Sequence, residues 1–256
     1  MVKYTFLFSG GMDNRRNYNR YANNLGFVYK VLTEKLQYLP ENITVMYADG
    51  ISINYDNSII NTQAAKKDNF FSKMTEYNQQ ITKNDLFTFV ASNHGGNDGE
   101  LCTWEDIPIY RIEFINAANS IACIKIIILG QCYGGNYTYP ENKIYNSVIL
   151  SANAPEQPSY AKIARDLKGK YMLDKINNYD EFLYNFFSYY NGSYPCGKLL
   201  KDIKKDNLIL SAYKYTRDND FLCNGINFGS KFRQETPYIK NNLDINAKID
   251  ISTICL

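Results

Sequence analysis

Histidine occurs once in this chain, as His94, at the end of Phe87-Thr88-Phe89-Val90-Ala91-Ser92-Asn93-His94 and directly before Gly95-Gly96. A second apolar run, Ile126-Ile127-Ile128-Leu129-Gly130-Gln131-Cys132, ends in a thiol and is followed by Tyr133-Gly134-Gly135. Short β-branched and aromatic segments that stop at a Gly-bracketed reactive side chain are expected of buried parallel strands whose C-terminal ends open onto one site. A thiol and an imidazole delivered to the same sheet edge are the minimum for cysteine nucleophilic catalysis. The stretch between them is long enough for one helical crossover, so the two strands are expected to be neighbours.

Each residue has a plainer reading. Most cysteines are buried structural thiols, and a lone histidine is usually a satisfied core residue. The glycine pairs weigh against both, because a side chain at a strand end beside glycines stands where a substrate carbonyl can approach the backbone. The N–H groups of Gly95 and Cys132 would then be free to bind an oxyanion. The other cysteines are 102, 123, 196, 223 and 255. They show no C-x-x-C spacing, and with one histidine available a structural zinc site is not expected, nor any organic cofactor. Cys102 and Cys123 lie in apolar runs and read as inert core thiols. A Cys196–Cys223 disulfide is left open.

The elements that must position these side chains follow from the alternation of strand and helix patterns through the first 150 residues, the mark of a parallel sheet with helices on its faces. Strands are expected at 3–8, 43–47, 86–91, 125–129 and 148–150. Helices are expected at 18–39, 61–80, 111–122, 180–190 and 207–216, with a long loop or hairpin over 92–110 that includes Trp104 as a packing residue. No repeat, linker or domain boundary is visible. The chain is read as one domain over 1–256, irregular toward its C-terminus and above all in the last twenty residues.

Charge is nearly balanced, 28 basic against 26 acidic residues, which gives no electrostatic case for nucleic acid or an anionic membrane as partner. The opening Met1-Val2-Lys3-Tyr4-Thr5-Phe6-Leu7-Phe8-Ser9-Gly10 turns polar too soon for a secretory signal and reads as the first strand. No run approaches the roughly 18 to 20 apolar residues of a spanning helix. A soluble protein, cytoplasmic by default, is expected.

An apolar strand ending in His-Gly, followed by a later one ending in Cys, resembles the caspase and legumain clan of cysteine peptidases. Further blocks resemble legumain (asparaginyl endopeptidase) and its bacterial relatives. Asn17-Tyr18-Asn19-Arg20-Tyr21-Ala22-Asn23-Asn24 is similar to the Asn-Tyr-Arg-His block after the first strand, and Asn42-Ile43-Thr44-Val45-Met46-Tyr47-Ala48-Asp49 to the second strand. Ser151-Ala152-Asn153-Ala154-Pro155-Glu156-Gln157-Pro158-Ser159-Tyr160-Ala161 is similar to an Ala-Asn-Pro-Arg-Glu-Ser-Ser-Tyr-Ala run, and Tyr179-Asp180-Glu181-Phe182 falls where the family has an acid before aromatics. The match runs in order from about residue 4 to about residue 190.

The resemblance implies a three-layer α/β/α caspase-like fold, with a central, mostly parallel sheet of about six strands, and hydrolysis of peptide substrates through a thioester. Carried over residue by residue, it makes Cys132 the nucleophile, His94 the general acid and base, Asn17 the residue that orients the imidazole, and Gly95 an oxyanion donor. Arg20, Asp180 and Ser159 take the positions of the specificity pocket. Gly130 stands where legumains carry a glutamate, so one acidic wall is missing, and Arg20 is displaced by one place. Cleavage after Asn or Asp is expected. Two alternatives keep the same fold: a peptide ligase of the same family, and a catalytically idle binding scaffold, against which the intact Cys132 and His94 argue.

Overall fold

Side chains on successive strand residues point to opposite faces of a sheet, and in this chain both faces are apolar, so the central strands must be covered on both sides. The structure, a computed structural model, describes residues 1–105, 107–165, 171–173, 179–200, 206–228, 231–243 and 254–256. In chain order the elements are β1 (Lys3–Ser9), α1 (Asn19–Glu34), β2 (Ile43–Tyr47), β3 (Ile53–Tyr55), β4 (Ser58–Ile60), α2 (Lys67–Gln80), β5 (Leu86–Ala91), α3 (Arg111–Ser120), β6 (Ile124–Leu129) and β7 (Ser147–Ser151). There follow β8 (Ile163–Arg165), β9 (Tyr171–Leu173), α4 (Glu181–Asn191), α5 (Ile209–Asn219), β10 (Ile226–Phe228), β11 (Lys231–Arg233) and β12 (Tyr238–Asn241).

Six strands form the central sheet in the order β12-β7-β6-β5-β1-β2. All neighbours are parallel except β12, which runs antiparallel to β7. Strand parity then assigns the two cores. Phe6, Phe8, Phe87, Phe89, Ile127, Leu129 and Ile149 face one layer, where Phe70, Met74 and Tyr77 of α2 and Phe114 of α3 meet them. Leu7, Val90, Ile126, Ile128, Val148 and Leu150 face the other, against α1, α4 and α5. The expected three-layer architecture with its six-stranded, mostly parallel sheet is what the chain forms.

Two local expectations are corrected, and the disulfide left open is decided. The helix expected from residue 61 begins at Lys67, because 53–60 form the β3–β4 hairpin and Gln63 pairs beside β2. The hairpin turn is Asp56-Asn57, both at positive φ. These residue types tolerate the left-handed region without advertising a turn as strongly as Asn-Gly would. The last twenty residues are not wholly irregular, since Tyr238–Asn241 is the sixth strand of the sheet. All six cysteines are free, so the Cys196–Cys223 bridge is not formed. Helix α1 stops at Glu34, well short of its expected end at Leu39; the remaining helices and strands start or stop within a few residues of their expected bounds, and Trp104 packs against the α1 side core as expected.

Chain order along the sheet reverses at β1, which has β2 on one side and β5 on the other. Loops leaving the C-terminal ends of strands at such a reversal splay apart and leave a crevice. The segments after β1, β5 and β6 all open there. Among the described residues no helix is long and apolar enough to cross a membrane.

Candidate active site

Register alone brings the thiol and the imidazole to one edge. Ala91 of β5 is paired with Leu129 of β6, and His94 and Cys132 each lie three residues beyond that pair. The backbones stay in contact past the end of the ladder: Gly130 donates to the Ala91 carbonyl at 2.8 Å. A Cβ placed on Gly95 would stand 2.1 Å from the Cys132 carbonyl oxygen. Any side chain at 95 would therefore force the two strand ends apart. Directly after the thiol, Tyr133 adopts φ 57°, uncommon for a non-glycine residue. Its amide is held by the Gln157 carbonyl at 2.9 Å, and the chain turns away into Gly134–Thr138.

Two amides at this junction are available. Gly95 bridges Leu101 in antiparallel sense, and the flanking bonds run from Gly96 to the Glu100 carbonyl and from Cys102 to the His94 carbonyl. Gly95 therefore occupies the non-hydrogen-bonded position, with its own N–H turned away from the bridge. Among the described residues neither the Gly95 nor the Cys132 amide has an acceptor.

His94 Nε2 lies 2.9 Å from the Arg16 carbonyl oxygen. A carbonyl only accepts, so in the neutral imidazole Nε2 carries the hydrogen and Nδ1 keeps the basic lone pair. The ring rests edge-on against Tyr18 at 5.1 Å and Tyr21 at 5.3 Å between centroids. Burial lowers the His94 pKa below its ordinary 6.5; the Arg16 carbonyl opposes this, and the charges of Arg20 and Arg16 add to it. The orienting role expected of Asn17 is corrected here. Its Nδ2 donates to the Tyr47 hydroxyl at 2.9 Å and its buried Oδ1 has no partner, so the imidazole is held by the backbone of the preceding residue instead.

Ser159 sits against the Cys132 thiol. Its amide is 3.3 Å and its hydroxyl 3.7 Å from Cys132 Sγ, and its carbonyl oxygen is 3.6 Å away. Ser159 thus meets Sγ with two donors and with one carbonyl that accepts from the thiol. Behind this segment the fully buried Glu235 accepts from the Tyr160 amide, and Arg233 lies over the Tyr160 ring.

Arg20 and Asp180, far apart in sequence, meet: Arg20 Nε donates to Asp180 Oδ1 at 2.9 Å. Asp180 Oδ2 accepts from Asn24 Nδ2 at 2.5 Å and Ser92 Oγ at 2.9 Å. Both carboxylate oxygens are thus occupied, and the side chain is nearly sealed from solvent. Burial pushes the Asp180 pKa up while Arg20, Ser92 and Asn24 pull it down. Arg20 also donates from Nη2 to the Tyr21 hydroxyl and lies over the Tyr18 ring. Its Nη1 has no partner among the described residues, and its side chain remains one-fifth exposed. Gly130 is corrected as a substrate contact: it is buried, and a Cβ there would meet the Leu183 side chain at 2.8 Å.

Four participants carry no direct mark in the sequence. The Arg16 carbonyl leaves no trace in residue type. Ser92 lies two residues before His94, with a parity that sends it to the α1 side, which was the available signal. Tyr18 and Tyr21, three residues apart, share one side of the start of α1, a spacing that could have marked them as supports for a flat ring.

No family model matches the chain, and no curated protein is significantly similar to it. Solved structures are similar to it. The crystal structure of caspase-1 from Spodoptera frugiperda superposes with a TM-score of 0.58 at 12% identity, over 94% of this chain and 86% of that one. A likeness at that identity is one of backbone architecture, and it identifies the chain as having a caspase-like three-layer α/β/α fold.

Proposed function

We propose that the protein is a cysteine endopeptidase with Cys132 as nucleophile and His94 as general acid and base. The observation that carries this reading is the matched position of the two residues beyond the Ala91–Leu129 pair, with the Cα of Gly95 packed against the Cys132 carbonyl. His94 Nδ1 takes the thiol proton and Sγ attacks the peptide carbonyl. The amides of Gly95 and Cys132 hold the oxyanion, and the contacts of Ser159 with Sγ fix where the sulfur stands for attack. The imidazolium then protonates the leaving amine, releasing it and leaving a thioester at Cys132. Water deprotonated by the same imidazole adds to the thioester, and Sγ departs to regenerate the thiol and release the carboxylic acid. Arg20, with Asp180 behind it, favours an acidic or amide side chain before the scissile bond, so cleavage after Asp or Asn is the preference proposed.

The direct test is covalent. Cys196 and Cys255 are exposed and would react with any simple alkylator, so the reagent must be a peptidyl acyloxymethyl ketone bearing Asp or Asn. Mass spectrometry is expected to find one adduct, on Cys132. Cys123, whose thiol burial pushes up to about 11, should stay unmodified. Labelling at another cysteine would overturn the assignment, and labelling of Cys132 without turnover of any peptide would favour the scaffold. An added amine that intercepts the acyl-enzyme in preference to water would identify a ligase.

The Gly95 contact gives a second expectation. Gly95→Ala must move either the Cys132 carbonyl or the amide at 95, and loss of one oxyanion donor typically costs on the order of 10²-fold in kcat. Gly96→Ala is the control, because a Cβ there first meets the flexible Glu100 carboxylate at 2.3 Å, and it should cost far less. Equal rates for the two variants would show that Gly95 is only a turn residue.

A further inference from the structure

We infer that Asn93 is the positioning residue for the imidazole, fixing the backbone from which His94 projects by binding three backbone groups at once. Its side chain is 3% exposed. Oδ1 accepts from the His94 amide at 2.9 Å and from the Gly11 amide at 3.1 Å, while Nδ2 donates to the Cys102 carbonyl at 2.5 Å.

The need for such a device follows from where the sheet ends. The last bond between the segments leaving β1 and β5 runs from the Ser92 amide to the Phe8 carbonyl at 3.1 Å. One residue later the chains diverge, and nothing in the ladder would hold His94. The carboxamide takes over that role: one oxygen gathers an amide from the tail of β1 and one from the tail of β5, and the nitrogen ties both to the returning strand at Cys102. The direct backbone bond across this gap, from the Cys102 amide to the His94 carbonyl, is long at 3.4 Å. The shorter side-chain bonds are therefore the main constraint.

Only a carboxamide of this length has the required set, two lone pairs on one atom and a donor on the other. Aspartate keeps the acceptor but turns a carboxylate oxygen toward the Cys102 carbonyl. Alanine keeps neither. Space is also tight around the junction. Gly11 is at φ +67°, and a Cβ on Gly10 would stand 2.1 Å from the Cys102 carbonyl oxygen. A movement here must pass to His94, since its own amide is one of the three groups held.

The activity readout rests on the peptidase reading, whereas a spectroscopic readout does not. His94 is the sole histidine, so the imidazole proton and nitrogen resonances of the full chain come from one residue. Asn93→Ala is expected to lower kcat about 10²-fold, the effect of a displacement near 1 Å at a reacting group. KM should stay within about threefold, as for a loss confined to the chemical step, and the imidazole resonances should shift and broaden. Asn93→Asp, which keeps the acceptor, should lose about tenfold, as for a single misaligned contact. If Asn93→Ala does not fold by circular dichroism, the near-isosteric Asn93→Asp decides. Unchanged kcat with unmoved imidazole resonances in the folded variant overturns the inference. Should His94→Ala retain full activity, the peptidase reading fails, while the resonances in Asn93→Asp still show whether the ring depends on the carboxamide.

Discussion

His94→Ala is expected to lose about 10²- to 10⁴-fold in kcat/KM on a cleavable peptide, the usual worth of a positioned general acid and base. No second histidine exists to substitute, and the ring is one of several groups packed at the crevice rather than a keystone of the core, so the variant should remain folded. Wild-type turnover by the folded variant would end the proposed mechanism. The pH profile adds a finer expectation. The base must be neutral, and burial with two nearby guanidinium groups lowers the His94 pKa from 6.5. The acid limb of kcat/KM is therefore expected below pH 6.5 in the wild type. Arg20→Met removes one of the two guanidinium charges that lower the pKa and should move that limb upward. The shift should be partial, since burial, the largest cause, remains.

The same crevice separates what residue types reveal from what only folding reveals. Parity was readable: Phe87 and Phe89 against Thr88 and Val90, or Ile127 and Leu129 against Ile126 and Ile128, are buried on opposite faces as an alternating pattern in a doubly covered sheet requires. The reactive ends of two such strands were readable because glycines surrounded them. The meeting of Arg20 with Asp180 has no local signature and came into view only through resemblance to a known family. The support of the imidazole was not readable at all. A carbonyl such as that of Arg16 is present at every residue, and the selection of this one depends on how the segment after β1 folds back. Asn17, one residue away, was named by the family resemblance alone, and its side chain turns to Tyr47 instead. β12 was missed for a related reason. A four-residue antiparallel edge strand, half exposed, lacks the apolar alternation that marks the central strands.

The pocket pair leads to the second large effect. In Arg20→Met, Asp180 stays buried with only Asn24 and Ser92 as donors, and removing one partner of a buried ion pair typically costs about 3–5 kcal/mol. The sign of its pH dependence follows from linkage. Burial already raises the Asp180 pKa above 3.8, and loss of the guanidinium raises it further. Between 3.8 and the new value the folded state holds a proton that the unfolded state does not, so stability falls as pH rises through that window. Arg20→Met is therefore expected to be weakest at neutral pH and to recover toward pH 4 in denaturant titrations. Asp180→Asn should cost less, because the orphaned group is then Arg20, which already reaches solvent. Specificity should follow the same asymmetry. Since both Asp180 oxygens are engaged, the group left to face a substrate is Arg20 Nη1, and a carboxylate or amide carbonyl before the scissile bond is its natural partner. Losing that charge-assisted bond in Arg20→Met should lower kcat/KM for Asp and Asn substrates by about 10- to 100-fold, with little change for an alanine substrate. Fluorogenic peptides differing only in Asp, Asn, Ala or Arg at that position test this directly. Dominant cleavage after Arg in the wild type would refute the Arg20 role and point to a basic preference governed by Asp180. Equal cleavage of all four would mean that the side chain before the scissile bond is read elsewhere.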